Sequence, residues 1–316
     1  MIPALVLTAG LATRLRPLSF VRAKAAMPVG GEPIVRRILR QLRASGIEDA
    51  VLNLHHLPHT ITRVVGDGSD LDMRIRYSWE QPVLGSAGGP RQALPLLDAD
   101  TFIIVNGDTL TDVDMTALLA EHKRSGALVT MTVVAPEPGA QYGGVRVESD
   151  GVVTGFTKRG SPELSYHFVG VQAVEARAFR SITPGVPAES VLELYPALIA
   201  AQHGSVRVFT CRTEFFDIGT PADYLRTSLL LSARENGEAS LRSRSRIDAS
   251  AHIEQSILWD DVEVGAGSVL RRCIVADGVR VPSGASWVGA TLRCADEALP
   301  GETLIDGVAV GPISPV

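Results

Sequence analysis

From Ile247 onward the chain repeats itself at an interval of 17 residues, and few features restrict a fold as tightly. Shifted by that interval, IEQSILWDDVEVGAGS (residues 253–268) lies on LRRCIVADGVRVPSGA (residues 270–285). Ile257 meets Ile274, Asp260 meets Asp277, Val262 meets Val279, Val264 meets Val281 and Gly267 meets Gly284; Ile247 falls on Val264 and Ile253 on Leu270. Apolar residues at a near-constant interval, with glycines at corners, are the pattern of a β-solenoid. No coil there can bury its apolar edge alone, so each stacks on the last. Roughly three to four coils are expected, with Leu299-Pro300-Gly301 opening the last.

The other end of the chain follows different rules. An apolar run, residues 4–9, leads into a loop holding Ala9, Gly10, Ala12, Arg14 and Arg16, with Lys24 further on. Few side chains stand between this backbone and an anion. The planar fork of Arg14 suits phosphate oxygens. A strand that delivers a cationic, small-residue loop to its C-terminal edge is where α/β folds bind nucleotides. Beyond it, Ile38, Leu39 and Leu42 mark a helix over residues 34–44, stopped by Gly46. Residues 50–54, 74–77 and 102–105 read as strands, and residues 90–97 and 115–125 as helices. Residues 142–156 read as a hairpin turning at Asp150-Gly151. Residues 221–235 form a helix opened by Pro221. This βαβ rhythm predicts a mainly parallel sheet with helices on both faces. The pattern changes near Asn236, so the expected organisation is an α/β domain over residues 1–235, a basic solvated linker over 236–246, and the solenoid over 247–316.

Composition narrows the function classes. A chain of 316 residues exceeds a single typical domain, and 45% apolar content supports a large core. A net charge of −5 argues against a nucleic-acid surface, so phosphate binding has to come from a local site. Cys211, Cys273 and Cys294 have no metal-like spacing, and their odd number fits reduced thiols. The apolar N-terminus is too short for a signal peptide and lacks a basic leader. No apolar run reaches the ~18 residues that a membrane span needs. A cytoplasmic protein with neither nucleic-acid nor membrane partners is expected.

The N-terminal loop, with KAAMPVGGEPI after it (residues 24–34), resembles the signature of the sugar-1-phosphate nucleotidyltransferases. Ala12 replaces the second loop glycine of that pattern, and Ala25 the proline that usually follows the lysine. Four further segments appear in the family's order. In FIIVNGDTLTDVD (residues 102–114) the resemblance makes Asp108 a metal ligand that also faces the nucleotide. In FFDIGTPADYL (residues 215–225) it makes Asp217 a second ligand for Mg²⁺. WEQPVLGSAGGPRQAL (residues 79–94) is similar to the nucleobase wall, with Gly85 against the base and Gln81 or Glu80 at its edge. YGGVRVESDGVVTGFTKRG (residues 142–160) keeps Gly144 and Lys158 for the sugar phosphate, but Thr157 stands where a glutamate normally holds sugar hydroxyls. Phe168 stands near a usual asparagine, and either packs on a sugar face or fills the core.

The implied fold is a Rossmann-like, mainly parallel α/β nucleotidyltransferase domain followed by a short left-handed β-helix of hexapeptide repeats. The implied reaction joins a nucleoside triphosphate to a sugar 1-phosphate and releases pyrophosphate, with Mg²⁺ as cofactor. Arg14 and Lys24 would be catalytic, and Ala9 and Gly10 would line the nucleotide. The LGSAGG segment and the tail look more like GDP-mannose pyrophosphorylases; residues 53–97 resemble the branch that makes UDP-N-acetylmuramate. GTP with mannose 1-phosphate is the preferred pair and a UTP-dependent uridylyltransferase the alternative. The rival of another class is a catalytically idle regulatory paralogue, against which Arg14, Lys24, Asp108 and Asp217 are all present. Hexapeptide repeats also occur in acyltransferases, but His252 is the solenoid's lone histidine and reads as a surface residue. The solenoid is therefore read as structural or oligomer-forming, in a homo-oligomer.

Overall fold

A computed structural model describes residues 2–135, 143–158, 160–235 and 244–313. Tyr142, Arg159 and linker residues 236–243 lie outside the described residues. Contacts divide the chain into two units, Met1–Gly10 with Val35–Phe216, and Leu11–Ile34 with Asp217–Val316. The compositional change near Asn236 is thus not where contact density divides the chain: residues 11–34 and 217–235 group with the solenoid.

The first unit is built on seven strands: β1 (Ala4–Leu7), β2 (Asp49–Leu54), β3 (Arg74–Trp79), β4 (Thr101–Asn106), β5 (Val129–Val134), β6 (His167–Glu175) and β7 (Val206–Thr210). Their order across the sheet is β7-β5-β6-β4-β1-β2-β3. β1 pairs in parallel with β2 and β4, β2 with β3, and β5 with β7. Ala4, Leu5 and Val6 are wholly buried, which is why β1 is apolar throughout rather than alternating. β6 is the antiparallel member of this mainly parallel sheet, running against both β4 and β5. A parallel return needs a crossover, usually a helix. Between β5 and β6 the described chain instead supplies a hairpin, Val145–Val147 with Val153–Phe156.

Helices α1 (Ile34–Ala44), α2 (Pro58–Val65), α3 (Gly85–Leu97), α4 (Met115–Ser125) and α5 (Tyr195–Ala201) connect the strands. Val35, Ile38, Leu39 and Leu42 form the buried stripe of α1 at helical spacing. α3 begins at Gly85, five residues before the start read from Pro90. The core gathers Leu5, Val51, Phe102, Ile104, Met131, Phe179 and Tyr195.

The second unit holds three short 3₁₀ turns (Thr13–Leu15, Leu18–Phe20, Lys24–Ala26), α6 (Pro221–Glu235) and the β-helix. Three parallel sheets make its faces. Arg246–Ile247 pairs with Glu263–Val264 and then Arg280–Val281. His252–Glu254 pairs with Val269–Arg271 and then Ser286–Val288. Ile257–Leu258 pairs with Ile274–Val275 and then Ala290–Cys294. Every partner lies 17 residues away, as the repeat requires. One corner shows why the period holds: Gln255, Arg272 and Gly289 have φ of 46°, 51° and 62°, so each coil turns there through a left-handed residue. The expected coil after Leu299-Pro300-Gly301 does not form. The chain reverses into a hairpin, Thr303–Ile305 with Val308–Pro312, and the latter strand lies antiparallel on Ala290–Cys294.

Candidate active site

In the first unit, β1 and β4 end level, with Leu7 opposite Asn106. The Gly107 amide donates to the Leu7 carbonyl at 2.9 Å. A Cβ on Gly107 would lie 2.5 Å from that oxygen, so glycine alone lets the chain turn so close to β1. Asp108 follows in the turn, half-buried, and accepts a 3.3 Å hydrogen bond from Thr109 Oγ1. Beyond β1 the backbone passes Ala9, which is buried, to Gly10, which is exposed with open space where a side chain would stand.

A buried polar chain braces this edge. Asn53 Oδ1 accepts from the Thr8 amide at 2.6 Å, and Asn53 Nδ2 donates to Glu80 Oε1 at 2.7 Å. The other Glu80 oxygen accepts from the Leu84 amide at 2.8 Å. The ends of β1, β2 and β3 are thereby tied to the start of α3. Both oxygens of Glu80 are engaged within the protein, whereas Gln81 is exposed. Nothing about Asn53 stood out in the sequence except a polar residue inside an apolar strand.

The glycines of LGSAGG have close-packing partners. The Ala87 and Gly88 amides donate to the Ala188 carbonyl at 2.9 and 3.1 Å, and Ser86 Oγ donates to Glu189 Oε2 at 2.6 Å. A Cβ on Gly85 would lie 2.7 Å from the Ala188 oxygen, and one on Gly89 would lie 2.6 Å from Glu80 Oε1. Nothing in the local sequence marks this latch at residues 188–189.

On the hairpin side, Gly144 is buried, and its amide donates to Thr157 Oγ1 at 2.8 Å. Thr157 Oγ1 also lies 3.1 Å from Ser165 Oγ, so this hydroxyl ties the hairpin end to its neighbour. Any side chain at Gly144 would overlap Ser165. Lys158, the next residue, is exposed. Phe168 is half-buried and packs against the core cluster on one side. His167 stacks on Phe215 with ring centres 4.6 Å apart.

In the second unit, Arg14 sits exposed on the Thr13–Leu15 turn. Ala12 caps that turn at φ 48° and ψ 46°. The position that resembled a missing glycine is thus demanding in conformation rather than in space. A Cβ on Gly219 would lie 3.2 Å from Arg14 Nη1, so the bare backbone at residue 219 makes room for the guanidinium. Asp217 ends the strand Phe215–Asp217 two residues earlier and is half-buried. Thr220 Oγ1 accepts from the Asp223 amide at 3.1 Å and donates to Asp223 Oδ2 at 2.8 Å, a reciprocal cap that starts α6. Lys24 opens the Lys24–Ala26 turn, half-buried.

Among the described residues no three His, Cys, Asp or Glu side chains gather as a metal cage. The carboxylates at strand ends are the hard oxygen donors that divalent cations such as Mg²⁺ take, usually one or two at a time. Among the described residues no helix is long and apolar enough to cross a membrane.

The Nucleotidyl transferase family model matches residues 3–234, and the model described as GlmU-like, C-terminal hexapeptide matches residues 229–297. The mannose-1-phosphate guanylyltransferase of Mycobacterium tuberculosis is 30% identical over 294 residues, covering 90% of this chain and 82% of that protein. The N-acetylmuramate alpha-1-phosphate uridylyltransferase of Neisseria meningitidis serogroup B is 42% identical over 115 residues, covering 36% of this chain and 50% of its own. The crystal structure of HddC from Yersinia pseudotuberculosis superposes with a TM-score of 0.64 at 21% identity, over 72% of this chain and 98% of that one.

Proposed function

This chain belongs to the nucleotidyl transferase family, and from that premise we propose that it joins a nucleoside triphosphate to a sugar 1-phosphate and releases pyrophosphate. A sugar-phosphate oxygen attacks the α-phosphorus. A new P–O bond forms, and the bond to the bridging oxygen breaks with its electron pair leaving on pyrophosphate. The attacking phosphate is already anionic near neutral pH, so the protein's work is to offset repulsion between polyanions and to stabilise the leaving group.

Arg14 would contact the pyrophosphate, and Lys24 would bridge the α-phosphate and the sugar phosphate. Lys158 would hold the sugar phosphate beside Gly144, and the Ala9 and Gly10 backbone would face the triphosphate. Gln81 and Gly85 would meet the base. Asp108 and Asp217 are the proposed Mg²⁺ carboxylates; the ion, when bound, would neutralise phosphate charge. The observation that carries this reading is the approach of Gly107 to Leu7, which brings the turn bearing Asp108 beside the end of the strand that leads into the Ala9-Gly10 loop.

The long alignment with a guanylyltransferase favours GTP and mannose 1-phosphate. The shorter, denser identity with a uridylyltransferase supports UTP with an N-acetylmuramate or hexose 1-phosphate as the second reading. A pyrophosphate-release screen of nucleoside triphosphates against sugar 1-phosphates, with and without Mg²⁺, tests both. No turnover with any pair would replace the enzyme by an idle regulatory paralogue. We further propose a homo-oligomer held partly by residues 245–316. Truncation after Glu235 should change its sedimentation, and a monomeric full-length chain would exclude it. Free Cys211, Cys273 and Cys294 support a reducing, cytoplasmic setting.

A further inference from the structure

Within the second unit one cation is held by the repeat itself. Arg22 is 7% exposed. Its Nε donates to Asp277 Oδ2 at 2.7 Å, and its Nη2 donates to Asp277 Oδ1 and, at 2.8 Å, to Asp260 Oδ2. Asp260 and Asp277 are the same position on consecutive coils, and the Asp260 amide donates to Asp277 Oδ1 at 3.0 Å. The guanidinium lies 5.1 Å from the ring centre of Trp259, a buried residue of the first coil. Burial opposes the charge on Arg22, but the two aspartates outweigh it and hold its pKa above the ordinary arginine value. Only a planar fork can span both carboxylates in this way.

The grip continues along the segment. Trp259 Nε1 donates to Tyr224 Oη at 2.9 Å, and that hydroxyl donates to the Pro28 carbonyl at 2.5 Å. Residues 22 and 28 are therefore both fixed, the first by the coils and the second by α6 and Trp259. Between them Ala23, Ala25, Ala26 and Met27 are buried, and Lys24 is the half-buried cation they carry.

We propose that Arg22 is a positioning residue for Lys24, and that the first two coils of the β-helix, through Asp260 and Asp277, belong to the apparatus that sets this lysine. The proposal rests on Lys24 having the role given above. It assigns the repeat a task beyond holding copies of the chain together: two aspartates one coil apart form a socket for a single arginine.

The test uses the full chain in two independent readouts. Arg22→Lys keeps the charge but loses the fork, and Asp277→Asn keeps size but loses charge. Each is assayed with both substrates varied, well below its own unfolding temperature. The rate of Lys24 acetylation in the substrate-free protein is followed by peptide mass spectrometry, with Lys123 on α4 as internal reference. A small misplacement of a reacting group is costly, so kcat should fall about tenfold or more in each variant, with both KM values within about twofold. The double variant should be no slower than the worse single one. Lys24 labelling should change by about threefold relative to Lys123, a factor set by exposure of a half-buried amine. A variant with a lower unfolding temperature but unchanged kcat and labelling would make the cluster purely structural and overturn the proposal. Shifted labelling with unchanged kcat would overturn it too. If either variant fails to fold, Asp260→Asn, which removes one carboxylate and leaves the Asp277 pair, is read in the same way. Should the unaltered protein turn over no substrate pair, the functional reading fails first; labelling alone then judges the clamp, and an unchanged Lys24 rate overturns it.

Discussion

In the parallel coils of the β-helix each strand residue meets its partner 17 positions away, whereas in the seven-stranded sheet no such rule exists. β1 sits between strands whose partners begin 46 and 99 residues later, Ala50 and Ile103 opposite Ala4. The first region spends its sequence on a shared geometry, repeated until it stacks. The second spends single residues on single tasks: Gly107 for one approach, Asn53 for one buried chain of hydrogen bonds, Gly144 for one close contact with Ser165. Damage should therefore be sharp and local in the sheet and its loop, and graded in the coils.

The largest expected effects test that contrast at the loop. Arg14→Ala should lower kcat and kcat/KM together by about 10² to 10³, the usual loss of one transition-state donor. Lys158→Ala should mainly raise KM for the sugar phosphate. The opposite pattern in steady-state kinetics would show that the two substrates are placed wrongly. Asp108→Asn should abolish most turnover at limiting Mg²⁺ while leaving the circular dichroism spectrum intact; near-normal turnover would sink the metal assignment.

Next comes the braced sheet edge. Asn53→Leu leaves the Thr8 amide and Glu80 Oε1 without partners, at a cost of about 2–4 kcal/mol in urea unfolding. A loss under about 0.5 kcal/mol, the size of an ordinary surface change, would mean that the buried chain is not structural.

Smaller effects should come from residues held in the left-handed region. Arg272→Gly, at the corner where Gly289 already serves the next coil, should raise stability by about 0.5–1 kcal/mol. Ala12→Gly should gain a similar amount at the loop. If Ala12→Gly loses rate while gaining stability, the strained alanine is restricting loop motion to catalytic advantage.

The smallest effect is one of pH. His122 is buried against Thr130 and Glu175, and burial pulls its pKa below 6.5, with Glu175 opposing. Its folded pKa is lower than its unfolded one, so the neutral ring contributes fully above pH 6.5. That contribution fades as pH falls below this value and through the lowered folded pKa. Denaturant midpoints should decline across that window, and His122→Asn should flatten the decline.

Much of this was legible in the chain, for reasons that differ by region. Parallel stacking makes sequence period and coil length the same quantity, so the register of Ile257, Ile274 and their neighbours could be read directly. That Asp260 and Asp277 align was equally plain. What they hold was not, because Arg22 lies 238 and 255 residues away from them. Strand ends at Asn106 and the helix at Pro221 followed from apolar runs and capping chemistry. The start of α3 did not: proline favours a first turn, but here packing against residues 188–189 carries the helix back to Gly85. β6 has no local mark of its direction. Ala12 stood out only as a replaced loop glycine, and its left-handed backbone was not visible there. The absence of a glutamate at Thr157 was visible, whereas its bond to Gly144 depends on a hairpin closing.

The reversed hairpin that ends the β-helix has a consequence for how such a tail can change in length. Val308–Pro312 covers the outer edge of one sheet with a strand of opposite polarity, so that edge cannot pair with another parallel coil. At the other end of the stack, Asp260 and Asp277 commit the first two coils to Arg22. New turns are therefore accommodated most simply between these two ends. A duplication of 17 residues after Asp277 would insert one whole turn, keep every strand in register and leave both the socket and the seal untouched. Seventeen residues is thus the step by which this repeat can lengthen without losing register.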